Sequence, residues 1–226
     1  MDNCKYSLNT ARKYILNPKI LGLNYDWSHL QHMEHGFVLS RLYLLRDLTM
    51  KIKDNRILLI MDGFDTLFNG TKEEILERFY SQNTNLLISS EKAFTYQWAN
   101  YKDKYDKINS LYKYLNAGTF IGYSDSIKKM ATYCIKMIEE GTGHDRGNDQ
   151  GLMGQYLYNN LEKKNENKLD SNCSLFWVTT DDNTIFTSTP FYNTVTKSHP
   201  IIYHVVGGRR EYERMYIDTY NKIMKI

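Results

Sequence analysis

Cysteine, proline and long apolar runs are all scarce in this chain of 226 residues, and each scarcity removes a class of protein. The cysteines are three, Cys4, Cys134 and Cys173, an odd number without a CxxC pair. They form neither a disulfide framework nor a zinc-finger spacing, and we read them as free thiols of a reducing compartment. Three prolines and 13 glycines exclude collagenous and linker-like composition. The longest purely apolar run, Ile57–Met61, falls far short of the ~18 residues needed to cross a bilayer. The first residues, Met1-Asp2-Asn3-Cys4-Lys5, open no signal-peptide apolar segment, so we expect a cytoplasmic protein with no membrane partner. Excess charge is lacking too. The 29 basic and 26 acidic residues leave a net +3 without any Lys/Arg block, too weak a field to argue for nucleic acid.

What is present is ordinary globular material. Hydrophobic residues make up 42% and charged residues 24%, which excludes wholesale disorder. The length suits a single domain over residues 1–226, large enough to bury a core without staples. Asn69-Gly70-Thr71 and Asn172-Cys173-Ser174 are formal glycosylation acceptors, but such tripeptides arise by chance in an Asn-rich chain.

Apolar spacing predicts helices over residues 7–16, 37–52, 71–80, 124–140, 149–161 and 212–225. Continuous apolar runs predict strands over residues 56–61, 85–89, 175–178 and 200–204, and a further one around a glycine within 114–123. Strands alternating with helices imply an α/β fold with a mostly parallel sheet and helices on both faces. Ligands of such sheets sit beyond the carboxyl ends of the strands, so those positions hold the candidates.

After the first strand comes Asp62-Gly63-Phe64-Asp65. Two carboxylates at i and i+3 converge if the turn is tight, as Gly63 allows, and their hard oxygens suit Mg²⁺ or Mn²⁺. The plain alternative makes Asp62 a strand end and Asp65 a turn cap. After the last strand comes His204, followed by Gly207-Gly208-Arg209-Arg210. An imidazole there could complete a carboxylate metal site, and a glycine-then-arginine loop can approach phosphate; a half-exposed histidine before a turn is the plain alternative. Glycines inside the strand Tyr114–Tyr123 mark close approach of backbone or ligand. Asn116 in that strand either binds substrate or ties two loops together. Asp149, at a helix start, is explained by capping alone unless it meets a ligand.

In order, these pieces are a strand-terminal Asp-x-x-Asp, Ser-Ser-Glu91, Leu-Asn116-Ala-Gly118-x-Phe-Ile-Gly, Asp149-Gln150 and His204. That order resembles the glycosyltransferase domain of the collagen lysyl hydroxylases and related collagen glycosyltransferases. The resemblance implies a GT-A fold binding a UDP-sugar through Mn²⁺ at the end of a Rossmann-like sheet. It implies Asp62, Asp65 and His204 as metal ligands, and Asp149 as the catalytic carboxylate at the sugar. Phe64 stands where the family has a tyrosine and could stack on uracil. Glu91, Asn116, Gly118, Gly207 and Arg210 are the remaining substrate-binding candidates. The acceptor implied is a hydroxyl of a collagen-like protein, hydroxylysine or galactosyl-hydroxylysine. This chain begins near the family's first helix, so the family's first strand is expected to be missing and an oligomer stays open. The family's lysine before the next helix has no counterpart in Gly36-Phe37-Val38-Leu39, the nearest cation being Arg41, and the family's Asn after His-Gly is Val206 here.

Two other readings compete with an active Mn²⁺-dependent transferase. One is a weak or inactive GT-A module that binds nucleotide or a partner protein. The other is a haloacid-dehalogenase-type phosphatase, suggested by Asp62-Gly-Phe-Asp65. That chemistry needs an acid two residues after the nucleophile, and Phe64 cannot donate a proton.

Overall fold

A computed structural model of the chain describes residues 4–22, 36–94, 101–142, 148–160, 166–179, 191–206 and 210–225. The described elements are α1 (Lys5–Lys13), α2 (Gly36–Met50), β1 (Ile57–Met61), β2 (Thr66–Phe68), α3 (Lys72–Ser81), β3 (Leu86–Glu91), α4 (Lys102–Asp106) and β4 (Tyr114–Tyr123). They continue as α5 (Ser124–Glu139), α6 (Asp149–Asn159), β5 (Asn167–Leu169), β6 (Phe176–Val178), β7 (Ile202–His204) and α7 (Arg210–Lys225). Local sequence explains several boundaries. Thr71 opens α3 with a reciprocal cap, its hydroxyl accepting from the Glu74 amide while the Glu74 carboxylate accepts from the Thr71 amide. The helix α6 is capped by Asn148, whose side-chain oxygen accepts from the Gln150 amide.

The strands form two sheets, one in the order β1-β4-β3-β5 and one in the order β2-β7-β6. The α/β expectation holds, and helices lie on both faces of the larger sheet. Its strand pairings, however, are not mostly parallel: β4 runs antiparallel to both β1 and β3, and only β3–β5 is parallel. A continuous apolar run reports burial on both faces, which is what these strands share; it carries no information on direction. In the smaller sheet β2–β7 is antiparallel and β6–β7 parallel.

One face of the larger sheet packs onto helices. Its Ile60, Leu86, Ile88, Leu115 and Phe120 share a core with Leu42 and Leu45 of α2, Ile127 and Met130 of α5, and Leu152 of α6. The opposite face meets the smaller sheet, where Leu87 and Ile121 pack with Phe68, Phe176 and Ile202, and with Ala11 of α1 and Ile75 and Phe79 of α3. The smaller sheet is covered in turn by α7, through Tyr216 and Ile223 against Leu67, Trp177 and Tyr203. Burying an apolar side chain of this size contributes about 1.5–3 kcal/mol, so these layers fix the strand ends firmly.

The pairing of β3 with β4 is interrupted where it matters most. Ile88 faces Phe120 and Ser90 faces Leu115, so residues 116–119 of β4 stand against Ser89 alone. This bulge re-aims the amino half of β4 beside the carboxyl ends of β1 and β3. It holds both Asn116 and Gly118.

Candidate functional site

The turn after β1 carries Asp62, the first of the candidate ligands. The Asp62 amide donates to the Gly118 carbonyl at 2.8 Å, which fixes Asp62 over the β4 bulge. Asp65 directly precedes β2, and Thr66 pairs with His204 across the antiparallel β2–β7 ladder. The Val205 amide donates to the Asp65 carbonyl at 2.9 Å, so Asp65 and His204 are neighbours because two strands pair. Asp62, Asp65 and His204 thereby bring one ligand atom each to within 4.8 Å of one another.

The histidine is held in one tautomer by a chain of hydrogen bonds. The Glu91 carboxylate, which can only accept, takes the Asn116 amide nitrogen at 3.2 Å and the Gln150 amide nitrogen at 2.9 Å. Asn116 must therefore turn its oxygen the other way, where it accepts from the Gly118 amide at 2.9 Å and meets His204 Nδ1 at 2.9 Å. Nδ1 accordingly carries a proton, so Nε2 is the ring atom that faces the carboxylates, and in the neutral ring it is the one free to ligate. Nε2 lies 3.7 Å from Asp62 Oδ2 and 3.3 Å from Asp65 Oδ1. Asp65 Oδ1 is buried without a hydrogen-bond partner. Two carboxylates converging on an imidazole nitrogen, one of their oxygens buried, are a donor set that a divalent cation satisfies, so the residues present fit a metal ion.

Electrostatics agree. Burial raises the Asp62 pKa above the ordinary 3.8, with Asp65 and Asp149 adding to the rise and Arg41 and His204 opposing it. Burial lowers the His204 pKa, but Asp65, Asp62 and Glu91 outweigh it, leaving the ring above its ordinary 6.5. Arg41 of α2 lies between two carboxylates, donating from Nη1 to Asp62 Oδ1 at 2.6 Å and from Nε to Asp149 Oδ2 at 2.9 Å, with Nη2 on the same Asp149 oxygen. Burial opposes its charge, yet Asp149, Asp62 and Asp65 raise its pKa overall.

Asp149 therefore does not cap α6, since Asn148 does; its carboxylate is buried and faces Arg41. Phe64, between Asp62 and Asp65 in the chain, is 59% exposed, so it is not a core residue. Three of the expected substrate residues lie beneath the site and are held by protein partners. Glu91 and Asn116 are 2% and 4% exposed and bond each other, because polar groups buried at a bulge must be satisfied by protein. Gly118 is covered by the His204 ring: a β-carbon there would lie 2.8 Å from Nε2 and nearer still to Cε1 and Nδ1. Gly207 lies outside the described residues, and Arg210 is described only as the first residue of α7. Arg41 and Gln150 were not among the expected site residues. The available signal for Arg41 was an arginine amid the apolar residues of α2, which must find carboxylates to be buried.

The fold and site define an α/β protein with an acidic, histidine-containing centre at its strand ends. Its sequence matches the model of the PLOD GT domain over residues 1–222, and the chain belongs to that glycosyltransferase-domain family. It is 31% identical over 168 residues to an uncharacterized protein of Acanthamoeba polyphaga mimivirus, covering 71% of this chain and 33% of that protein. It is 26% identical over 180 residues to the multifunctional procollagen lysine hydroxylase and glycosyltransferase of Caenorhabditis elegans, covering 77% of this chain and 24% of that protein. Against mouse procollagen-lysine,2-oxoglutarate 5-dioxygenase 2 the identity is 24% over 174 residues, covering 75% and 22%. The matched segments thus span between about a fifth and a third of these relatives. A crystal structure of an active-site mutant of LgtC aligns with 91% of this chain and 70% of its own, at 16% identity and a TM-score of 0.48. No helix among the described residues is long and apolar enough to cross a membrane.

Proposed function

We propose that this chain is a Mn²⁺-dependent glycosyltransferase of GT-A type. It moves a sugar from a UDP-sugar to a hydroxyl acceptor, with hydroxylysine or galactosyl-hydroxylysine of a collagen-like protein as the acceptor class. The observation that carries the reading is the convergence of Asp62, Asp65 and Nε2 of His204. These three would hold the ion, leaving positions for diphosphate oxygens. When bound, such an ion offsets the negative charge that builds on a departing diphosphate. Phe64, exposed beside the ligands, offers a face for uracil. Asp149, which Arg41 holds, is the carboxylate this reading assigns to the sugar. The acceptor class is supported by the C. elegans relative, whose name joins procollagen lysine hydroxylation to glycosyl transfer.

The test is UDP release from a panel of UDP-sugars with Mn²⁺ and a hydroxylysine-containing collagen peptide. Release that requires Mn²⁺ and is lost in Asp62→Asn is the expected result. UDP binding without release from any donor would leave a nucleotide-binding module instead. The phosphatase alternative finds no support in the family match or in Phe64 at the position its acid would need.

A further inference from the structure

We infer that Arg41 is a positioning residue that sets which divalent ion the Asp62–Asp65–His204 group accepts, favouring six-coordinate Mn²⁺ over the larger Ca²⁺. The inference rests on the metal-binding reading above. Arg41 holds Asp62 Oδ1 at 2.6 Å through Nη1, while Nε and Nη2 are both anchored on Asp149 Oδ2. Asp149 is itself fixed, 4% exposed in the first turn of a helix capped by Asn148. A guanidinium is planar, so two anchors on Asp149 determine where Nη1 points, and Nη1 in turn determines the orientation of Asp62. The other oxygen, Oδ2, faces His204 Nε2 at 3.7 Å. Asp62 is thus left with one oxygen for an ion.

That matters because the two ions differ in what they ask of a carboxylate. Ca²⁺ takes six to eight oxygens and commonly gains them by chelation with both oxygens of one carboxylate, whereas smaller ions keep near-octahedral geometry. A carboxylate held in one orientation resists the second bond. The imidazole ligand acts in the same direction, since nitrogen suits transition metals better than Ca²⁺. Removing Arg41 frees Asp62 to turn. It also removes a positive charge, but both ions carry the same charge, so that effect moves their affinities together. Only geometry moves their ratio.

The experiment measures Mn²⁺ binding to the full chain by the loss of the free-ion electron paramagnetic resonance signal, and Ca²⁺ binding by displacement of Mn²⁺. Parent, Arg41→Ala and Arg41→Lys are compared, with thermal unfolding in the absence of metal to verify folding. The Ca²⁺-to-Mn²⁺ ratio of dissociation constants is expected to fall about tenfold in Arg41→Ala, the scale of losing an outer partner of a metal ligand. Arg41→Lys keeps the charge but cannot bridge both carboxylates, so its ratio should fall too, and it decides the matter if Arg41→Ala does not fold. Equal factors for both ions in the folded variant would overturn the inference while leaving the metal site standing. Absence of saturable Mn²⁺ binding in the parent would overturn both.

Discussion

The imidazole of His204 rests on the backbone of Gly118, close enough that no side chain fits between them. The ring is 4% exposed and held at Nδ1 by Asn116, so it has nowhere to retreat. Gly118→Ala should therefore displace the ring, lowering Mn²⁺ affinity by on the order of tenfold or more. Isothermal titration with Mn²⁺ checks this, and parent-like affinity in the folded variant would show that the ring is not a ligand.

Phe64 separates nucleotide binding from stability. Its side chain is 59% exposed, so Phe64→Ala should leave the melting temperature nearly unchanged. If the ring stacks on uracil, UDP binding should weaken by about 1–3 kcal/mol. Unchanged UDP affinity would remove Phe64 from the donor site.

Protons should compete with the metal. Ligation needs a neutral His204, whose pKa lies above its ordinary 6.5 despite the opposing effect of burial, because Asp65, Asp62 and Glu91 raise it. Mn²⁺ affinity should accordingly rise as pH increases from about 6 to 8. The metal-free protein should behave oppositely through this group. A histidine with a raised folded pKa contributes stability fully present below its unfolded pKa and lost as pH rises through the folded value. Mn²⁺ titrations and metal-free urea unfolding at both ends of that range measure the two effects, and a flat affinity profile would rule out His204 ligation.

The sequence was most legible where elements are long. The strand expected within Tyr114–Tyr123 fills that whole stretch, and α5 differs from its expected end by a single residue. The three-residue strands β2 and β5 lie outside any continuous apolar run and were not anticipated, whereas the equally short β6 and β7 sit in such runs and were. The Asp62–Asp65–His204 group was legible because its members lie at the ends of short apolar runs. Their supports were not, since the placement of Glu91 and Asn116 beneath the site depends on a bulge between β3 and β4 that only the register reveals. Arg41 was obscured for a similar reason: its partners are 21 and 108 residues away.

Asp149 offers the sharpest division between structural and chemical roles. Because Asn148 caps α6, the substitution Asp149→Asn leaves the cap intact. It does weaken the pair with Arg41, which keeps its contact with Asp62. The helix should consequently persist, and UDP and Mn²⁺ should still bind. A carboxylate facing the sugar could accept its hydroxyls or oppose positive charge developing at the anomeric carbon, and its loss should reduce turnover by about 10²-fold or more. Single-turnover transfer, measured at saturating donor, isolates that step from binding. If Asp149→Asn transfers sugar as fast as the parent, Asp149 serves only to hold Arg41 in place. The metal centre would then be the whole of the chemistry that these side chains supply.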